Sequence, residues 1–217
     1  MGFFLAILGL FAAPQSTLAS PTAKQMVEKV QRYYDATRDL HAKFSQELTS
    51  AIGGPPRKAS GEVWLKKPGK MRWDYQKPED DRKVMIADGS TLWVYEAEDA
   101  QAFKTPLRSS TLPAQVSFLL GEGKLTNDFD AEIVHPPGIG QPGQVVLKMV
   151  PKTGTAAYRY LLFVVDPKSG QVVETVIYDQ QGGTNTLRFS DLEQNRKIDD
   201  AKFKFTPPRG VKVVSPP

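Results

Sequence analysis

The stretch Gly61 to Tyr95, GEVWLKKPGKMRWDYQKPEDDRKVMIADGSTLWVY, leaves the chain few folds to choose from. Glu62 to Lys66 alternates, Pro68-Gly69 turns the chain, and Met71, Trp73 and Tyr75 alternate with Arg72 and Asp74. Beyond a charged loop, Lys83 to Ala87 is apolar, Asp88-Gly89 supplies a hairpin turn, and Thr91 to Tyr95 closes the set. Period-two side chains flanked by Pro-Gly and Asp-Gly predict successive antiparallel strands. All three tryptophans of the chain fall here, and Met71, Trp73 and Tyr75 share one face. A sheet face carrying such large apolar side chains needs something apolar against it.

Candidate cover lies elsewhere in the chain. Thr22-Ala-Lys-Gln25 has the form of a capping box, and Ala23, Met26, Val27, Val30, Tyr33, Tyr34 and Thr37 follow at helical spacing. From Leu40 the period becomes two, with Leu40, Ala42, Phe44 and Leu48 apolar, so a strand runs directly off the helix. Between Glu96 and Pro113 the pattern weakens. Val116, Phe118, Leu119 and Leu120, after Pro113 and before Gly121 and Gly123, predict a second, short helix. Asn127 to Val134 fits a strand or a helix end. Gln144 to Val150, Tyr158 to Val165, Gln171 to Tyr178 and Thr184 to Leu192 read as strands. Phe203 and Phe205, alternating with Lys202 and Lys204, read as a last one before Pro207-Pro208. The fold class is mainly β (α+β): one long antiparallel sheet with two apolar helices. So many strands in an open sheet must curl, and the helices are the natural cover for the concave side.

Composition excludes several classes of function. A net charge of +4 is too small an excess for nucleic-acid binding. The absence of cysteine removes disulfides, thiol catalysis, thiolate metal sites and a lipid-modified N-terminal cysteine. The two histidines, His41 and His135, stand apart, and no metal-ligand spacing, phosphate-binding glycine loop or nucleophile elbow occurs. Glu79-Asp80-Asp81 reads as a solvated loop. The expectation is a non-enzymatic protein without cofactor or metal. Met1 to Ala19 has the short apolar run and small residues of a cleaved secretory leader, although no Lys or Arg precedes the run, and residues 20–217 then form a single domain. Arg57-Lys58, Lys66-Lys67, Lys70 and Arg72 fit either a charged sheet edge or a docking surface for an acidic partner or anionic lipid.

Trp64-Leu-Lys-Lys-Pro68, Arg72-Trp73-Asp74-Tyr75, Pro78, Asp88-Gly-Ser-Thr-Leu-Trp93-Val-Tyr95 and the tail Ala201-Lys-Phe-Lys-Phe-Thr-Pro-Pro-Arg-Gly-Val211 occur together, in order, with Phe44-Ser-Gln46 in the first strand. Over essentially the whole mature chain this resembles the outer-membrane lipoprotein carrier family of double-membraned bacteria, LolA. The resemblance implies an unclosed β-barrel with a helical lid, in a periplasmic monomer that shelters lipoprotein acyl chains. It also implies loading from an inner-membrane ABC transporter and release to an outer-membrane acceptor. On that architecture the candidate cavity wall is Val63, Leu65, Met71, Trp73, Tyr75 and Trp93. The candidate lid faces are Met26, Val30 and Tyr33 on the first helix and Val116, Phe118 and Leu119 on the second.

Met71, Trp73 and Tyr75 fit a permanently covered core equally well. The family commonly has Arg just before the proline of the first hairpin, where it tethers the lid; here that residue is Lys67. Period-two counting puts Lys67 on the side of Val63 and Leu65, where a cation seeks a partner such as a helix-end carbonyl. Two other classes remain open: a periplasmic sensor that binds lipid or a partner without ferrying it, and an enzyme built in the concave face.

Overall fold

The computed structural model describes residues 21–78, 82–107 and 123–215. The first helix, α1 (Ala23–Asp35), starts where the sequence places it. Thr22 accepts a hydrogen bond from the Gln25 backbone, and the Gln25 side chain caps the Thr22 backbone in return. Its apolar stripe buries Met26, Val27, Val30 and Tyr34. Only Ala36 to Arg38 separate it from β1 (Asp39–Thr49).

The strands form two meanders. The first comprises β1, β2 (Arg57–Lys66), β3 (Lys70–Lys77), β4 (Lys83–Asp88), β5 (Thr91–Glu96) and β6 (Gln101–Pro106). A single helical turn, α2 (Leu125–Asp128), leads into the second: β7 (Phe129–Val134), β8 (Val145–Pro151), β9 (Tyr160–Val165), β10 (Val172–Tyr178) and β11 (Thr184–Gln194). β11 pairs with β1, so both meanders join in one sheet, ordered β12-β6-β5-β4-β3-β2-β1-β11-β10-β9-β8-β7. The last strand, β12 (Lys212–Val214), runs parallel to β6. The sheet is unclosed, with β7 and β12 as its two edges.

Curling follows from the packing. One contiguous buried cluster includes Met71 of β3 and Ala87 of β4 at one side, Leu147 of β8 at the other, and Met26 and Val30 of α1. Laid flat, β4 and β8 would stand roughly 34 Å apart at the usual strand spacing, about three helix widths. The sheet wraps so that its inner face closes on the helix and on itself. Gly61 of β2 stands opposite a bulge in β3 at Gln76, and a Cβ there would sit 1.9 Å from the Asp74 carbonyl oxygen. In the β9–β10 hairpin, Gly170 adopts φ +86°, and a side chain there would strike the Lys29 carbonyl oxygen at 2.7 Å.

Several sequence expectations are corrected. The weak stretch after Glu96 contains β6, inconspicuous because only Ala102 in it is buried. Asn127 to Val134 is both things: α2 ends at Asp128 and β7 begins at Phe129. Phe203 and Phe205 do not lie in a strand. Asp199 caps a 3-10 turn over Asp200–Phe203, which buries Phe203. The expected helix around Val116 to Leu120, the leader Met1 to Ala19 and the Glu79-Asp80-Asp81 run lie outside the described residues.

The basic cluster is not at a sheet edge, since β2 and β3 are interior strands. Lys66 and Lys70 both reach Asp200, at 2.6 and 2.7 Å, and the Arg72 guanidinium donates to Asp74 and to the Lys202 carbonyl. These cations bind the C-terminal tail across the outer face. Hydrogen bonds from Lys66 and Lys70 hold the Asp200 carboxyl down at about 2.

Candidate functional site: the inner face and its latch

Residues directly opposite one another in neighbouring strands share a face. On the inner face, Ala42, Val63, Trp73, Met85 and Val94 form one row, and Leu40, Leu65, Met71, Ala87 and Leu92 the next. Phe44 meets Trp73 and Tyr75 edge-on, with ring centroids at 4.9 and 5.0 Å, and Phe189 of β11 stands 6.4 Å from Trp73. This aromatic group bridges the seam between the two meanders. Leu147, Met149, Leu161, Phe163, Val165 and Leu187 continue the same apolar surface on the far half.

Of the residues expected to line a cavity, Val63, Leu65, Met71 and Trp73 are buried on this face, each at most 4% exposed, and Tyr75 is half-buried beside them. Trp93 is not with them. It stands in the row of Arg72 and Ile86 on the outer face, where its ring packs 5.4 Å from Phe205 of the tail. The reason is register: Trp93 adjoins Val94, the residue that shares Trp73's side. Met26 and Val30 of α1 are buried in the same cluster. Tyr33 is half-buried, and its hydroxyl donates to Gln171 at 3.3 Å. Burial and the Asp166 charge push the Tyr33 hydroxyl up to about 12, so it stays a neutral donor. Val116, Phe118 and Leu119 lie outside the described residues.

The helix sits on the second meander. Tyr34 accepts a hydrogen bond from the Val172 backbone, and Lys29 donates to the Pro167 carbonyl. Toward the first meander, the ammonium of Lys67 reaches the carbonyl oxygen of Tyr34 at 2.5 Å, in the last turn of α1, where the same oxygen also accepts from the Thr37 backbone. Burial lowers the Lys67 pKa; the Asp35 charge opposes that and the Lys124 charge adds to it. Asp35 also pairs with Lys124 at 3.1 Å, and Gln31 joins its carboxylate to the backbone of Leu125. The end of α1 is thus tied to the β2–β3 turn on one side and to the start of α2 on the other. His41, by contrast, lies on the outer face, stacked on Trp64 and paired with Glu62 at 2.9 Å. That is a structural role.

At the far end of the inner face opens a cleft of about 210 Å³. It is lined by Gln46, Leu48, Arg57, Lys58, Ala59, Tyr75, Pro78 and Lys83. Sequence reasoning did not assemble Arg57 and Lys83, which come from β2 and β4 and carry no mutual spacing signal. It also missed Phe163 and Leu147, because β9 is apolar on both faces and β8 is broken only by Lys148. Val146, Leu162 and Val164 form a second buried cluster on the outer side, with Ile139 packed against it. Among the described residues no group of His, Cys, Asp and Glu could hold a metal.

Comparison with known proteins agrees with this architecture. Residues 35–206 match the family described as outer membrane lipoprotein carrier protein LolA. An outer-membrane lipoprotein carrier protein of Alkalilimnicola ehrlichii is 32% identical over 84% of this chain and 80% of its own. One from Chromobacterium violaceum is 28% identical over 94% of each. The solved structure of an uncharacterized conserved protein from Thermus thermophilus shares the fold at 12% identity, with a TM-score of 0.57 over 89% of this chain and 99% of that one. The chain belongs to the LolA family of outer-membrane lipoprotein carrier proteins.

Proposed function

We propose that the protein is a periplasmic chaperone that shelters lipoprotein acyl chains against the inner face of its curled sheet and hands them on. The observation that carries this is the continuity of that face, one apolar surface from β4 across the β1–β11 seam to β8, with a helix laid over it. No bond has to be made or broken. Moving an acyl chain out of water is worth about 0.8 kcal/mol per methylene, so a lipid-length chain cannot cross an aqueous compartment unsheltered. Because Met71 and Trp73 are already buried in the described state, cargo replaces contacts that the protein makes with itself. The net affinity is a difference, which favours a carrier that must let go.

The helix C-terminus is the hinge of this reading. Cargo entering under α1 would break the Lys67–Tyr34 bond, and its re-formation would help to expel the chains. Export through the leader Met1 to Ala19, loading from an inner-membrane ABC transporter, delivery to an outer-membrane acceptor and a monomeric state are parts of the same proposal. The family assignment supports lipoprotein as cargo. Among the described residues no helix is long and apolar enough to cross a membrane. The test is mass spectrometry of protein purified from the periplasm. Recovery of stoichiometric acylated lipoprotein supports the reading; protein that repeatedly carries none, even with a transporter loading it in vitro, overturns it.

A further inference from the structure

The cleft at the open end of the inner face is chemically unlike the rest of it. Leu48, Ala59, Tyr75 and Pro78 continue the apolar surface, but Arg57, Lys58 and Lys83 stand among them, and no carboxylate lines the cleft among the described residues. Lys58 approaches Glu47 at 3.7 Å. Arg57 and Lys83 have no ion-pair partner among the described residues. Arg57 lies across from Leu48, and the Lys83 ammonium sits 4.7 Å from the centre of the Tyr75 ring. Among the described residues, two cations without a carboxylate partner therefore flank a mostly apolar recess, one of them a planar fork suited to phosphate. Elsewhere Lys66 and Lys70 are taken up by Asp200, Arg72 by Asp74, and Lys67 of the β2–β3 turn by the Tyr34 carbonyl.

We infer that this cleft is a headgroup site for an anionic phospholipid, with the phosphate between Arg57 and Lys83 and an acyl chain running over Leu48 and Tyr75 toward Trp73. The chemistry calls for both halves of such a ligand: a phosphate alone leaves the recess empty, and an uncharged chain leaves the cations unused. The inference rests on the reading of the inner face as an acyl shelter. It adds a second cargo class, a single anionic lipid carried in the cleft.

The probes are lysophosphatidylglycerol and lysophosphatidylcholine of equal chain length, below their micellar concentrations, titrated into the purified full chain while tryptophan fluorescence is followed. The anionic lipid is expected to bind about three- to tenfold more tightly, the range that two partly exposed charge contacts supply. That preference should shrink with added salt. The variants Arg57→Gln and Lys83→Gln, checked for native circular dichroism, should each cut it, and the double variant should remove it, weakening the anionic lipid more than the zwitterionic one, whose phosphate is already offset by its own choline. Equal affinities for the two lipids in the native protein overturn the inference. So does inorganic phosphate binding as tightly as the anionic lipid at matched ionic strength, which would mark a simple anion site. Lipoprotein acceptance, measured on the same proteins, separates the two readings. A chain that takes lipoprotein but ignores headgroup charge refutes only the headgroup site, and one that prefers anionic lipid but never takes lipoprotein refutes the carrier.

Discussion

The ammonium of Lys67 lies 2.5 Å from the carbonyl oxygen of Tyr34, joining the β2–β3 turn to the last turn of α1. One long, flexible side chain thereby links the first meander to a helix seated on the second. Substituting leucine removes the bond but keeps the apolar stem. Lys67→Leu is expected to accept lipoprotein normally and surrender it slowly to acceptor membranes, whereas Lys67→Arg should release at least as fast as the native protein. Equal release rates for the Leu variant and the native protein would reduce Lys67 to a bystander.

Met71 is buried between Leu65 and Ala87 on the inner face. Met71→Glu places a carboxyl in this apolar row, so the group either protonates or holds the chamber partly open. A folded protein destabilised by about 2–4 kcal/mol is expected, with loading and release both disturbed. Denaturant unfolding gives the first number and a transfer assay the second. Unimpaired transfer would remove Met71 from the cargo surface.

Trp93 supplies the control from the other face. Phe205→Ala takes away the ring that packs on Trp93 and Tyr95, so the tail should loosen at a cost of about 1–3 kcal/mol. Cargo transfer at a temperature where the variant stays folded should match the native protein. A large transfer defect there would bring the outer face into function.

The contrast between these two faces shows what was legible in the sequence. Where one face is buried and the other wet, as in β3, alternation declares the inner residues and Met71 and Trp73 stand out. In β5 every residue from Thr91 to Glu96 is partly buried, so alternation carries no sign and only pairing register puts Trp93 outside. β9 is buried on both sides, and its inner residues Leu161 and Phe163 are indistinguishable from Leu162 by pattern. Lys67 was legible because a cation ends an apolar face just before a turn. Arg57 and Lys83 were not, because only the sheet brings them to one cleft.

Thr175 offers a test of the interior itself. Its hydroxyl is buried between Phe163 and Leu187 and has no hydrogen-bond partner among the described residues. Thr175→Val replaces it with a methyl group of similar size and should stabilise the empty protein by about 1 kcal/mol, or roughly 2–4 °C in Tm. Calorimetry decides; a lower Tm would mean that the hydroxyl is satisfied in solution.

Acid should release the C-terminal tail before it unfolds the sheet. Asp200 is ionised with its pKa lowered to about 2, so its contribution is present above the ordinary carboxylate range and is lost as pH falls from about 4 toward 2. Over that window Lys66 and Lys70 lose their partner. Lys202, which sits 3.4 Å over the Trp64 ring, should shift, and tryptophan fluorescence with it. In Asp200→Asn that transition should be absent. Its persistence would assign it to another carboxylate.

The pairing of β1 with β11 also sets the order in which the molecule can be built. Thr49 and Thr184 meet across this seam although 135 positions separate them. Hairpins of the first meander can form as soon as they are synthesised, because their partners are local. The seam must wait for nearly the whole chain, and such non-local pairing makes folding slow. Until Thr184 arrives, β1 has an unpaired flank and much of the greasy inner face is uncovered, the condition under which chains associate with each other. The surface suited to guarding lipids from water is the one that most needs guarding while the protein is half made.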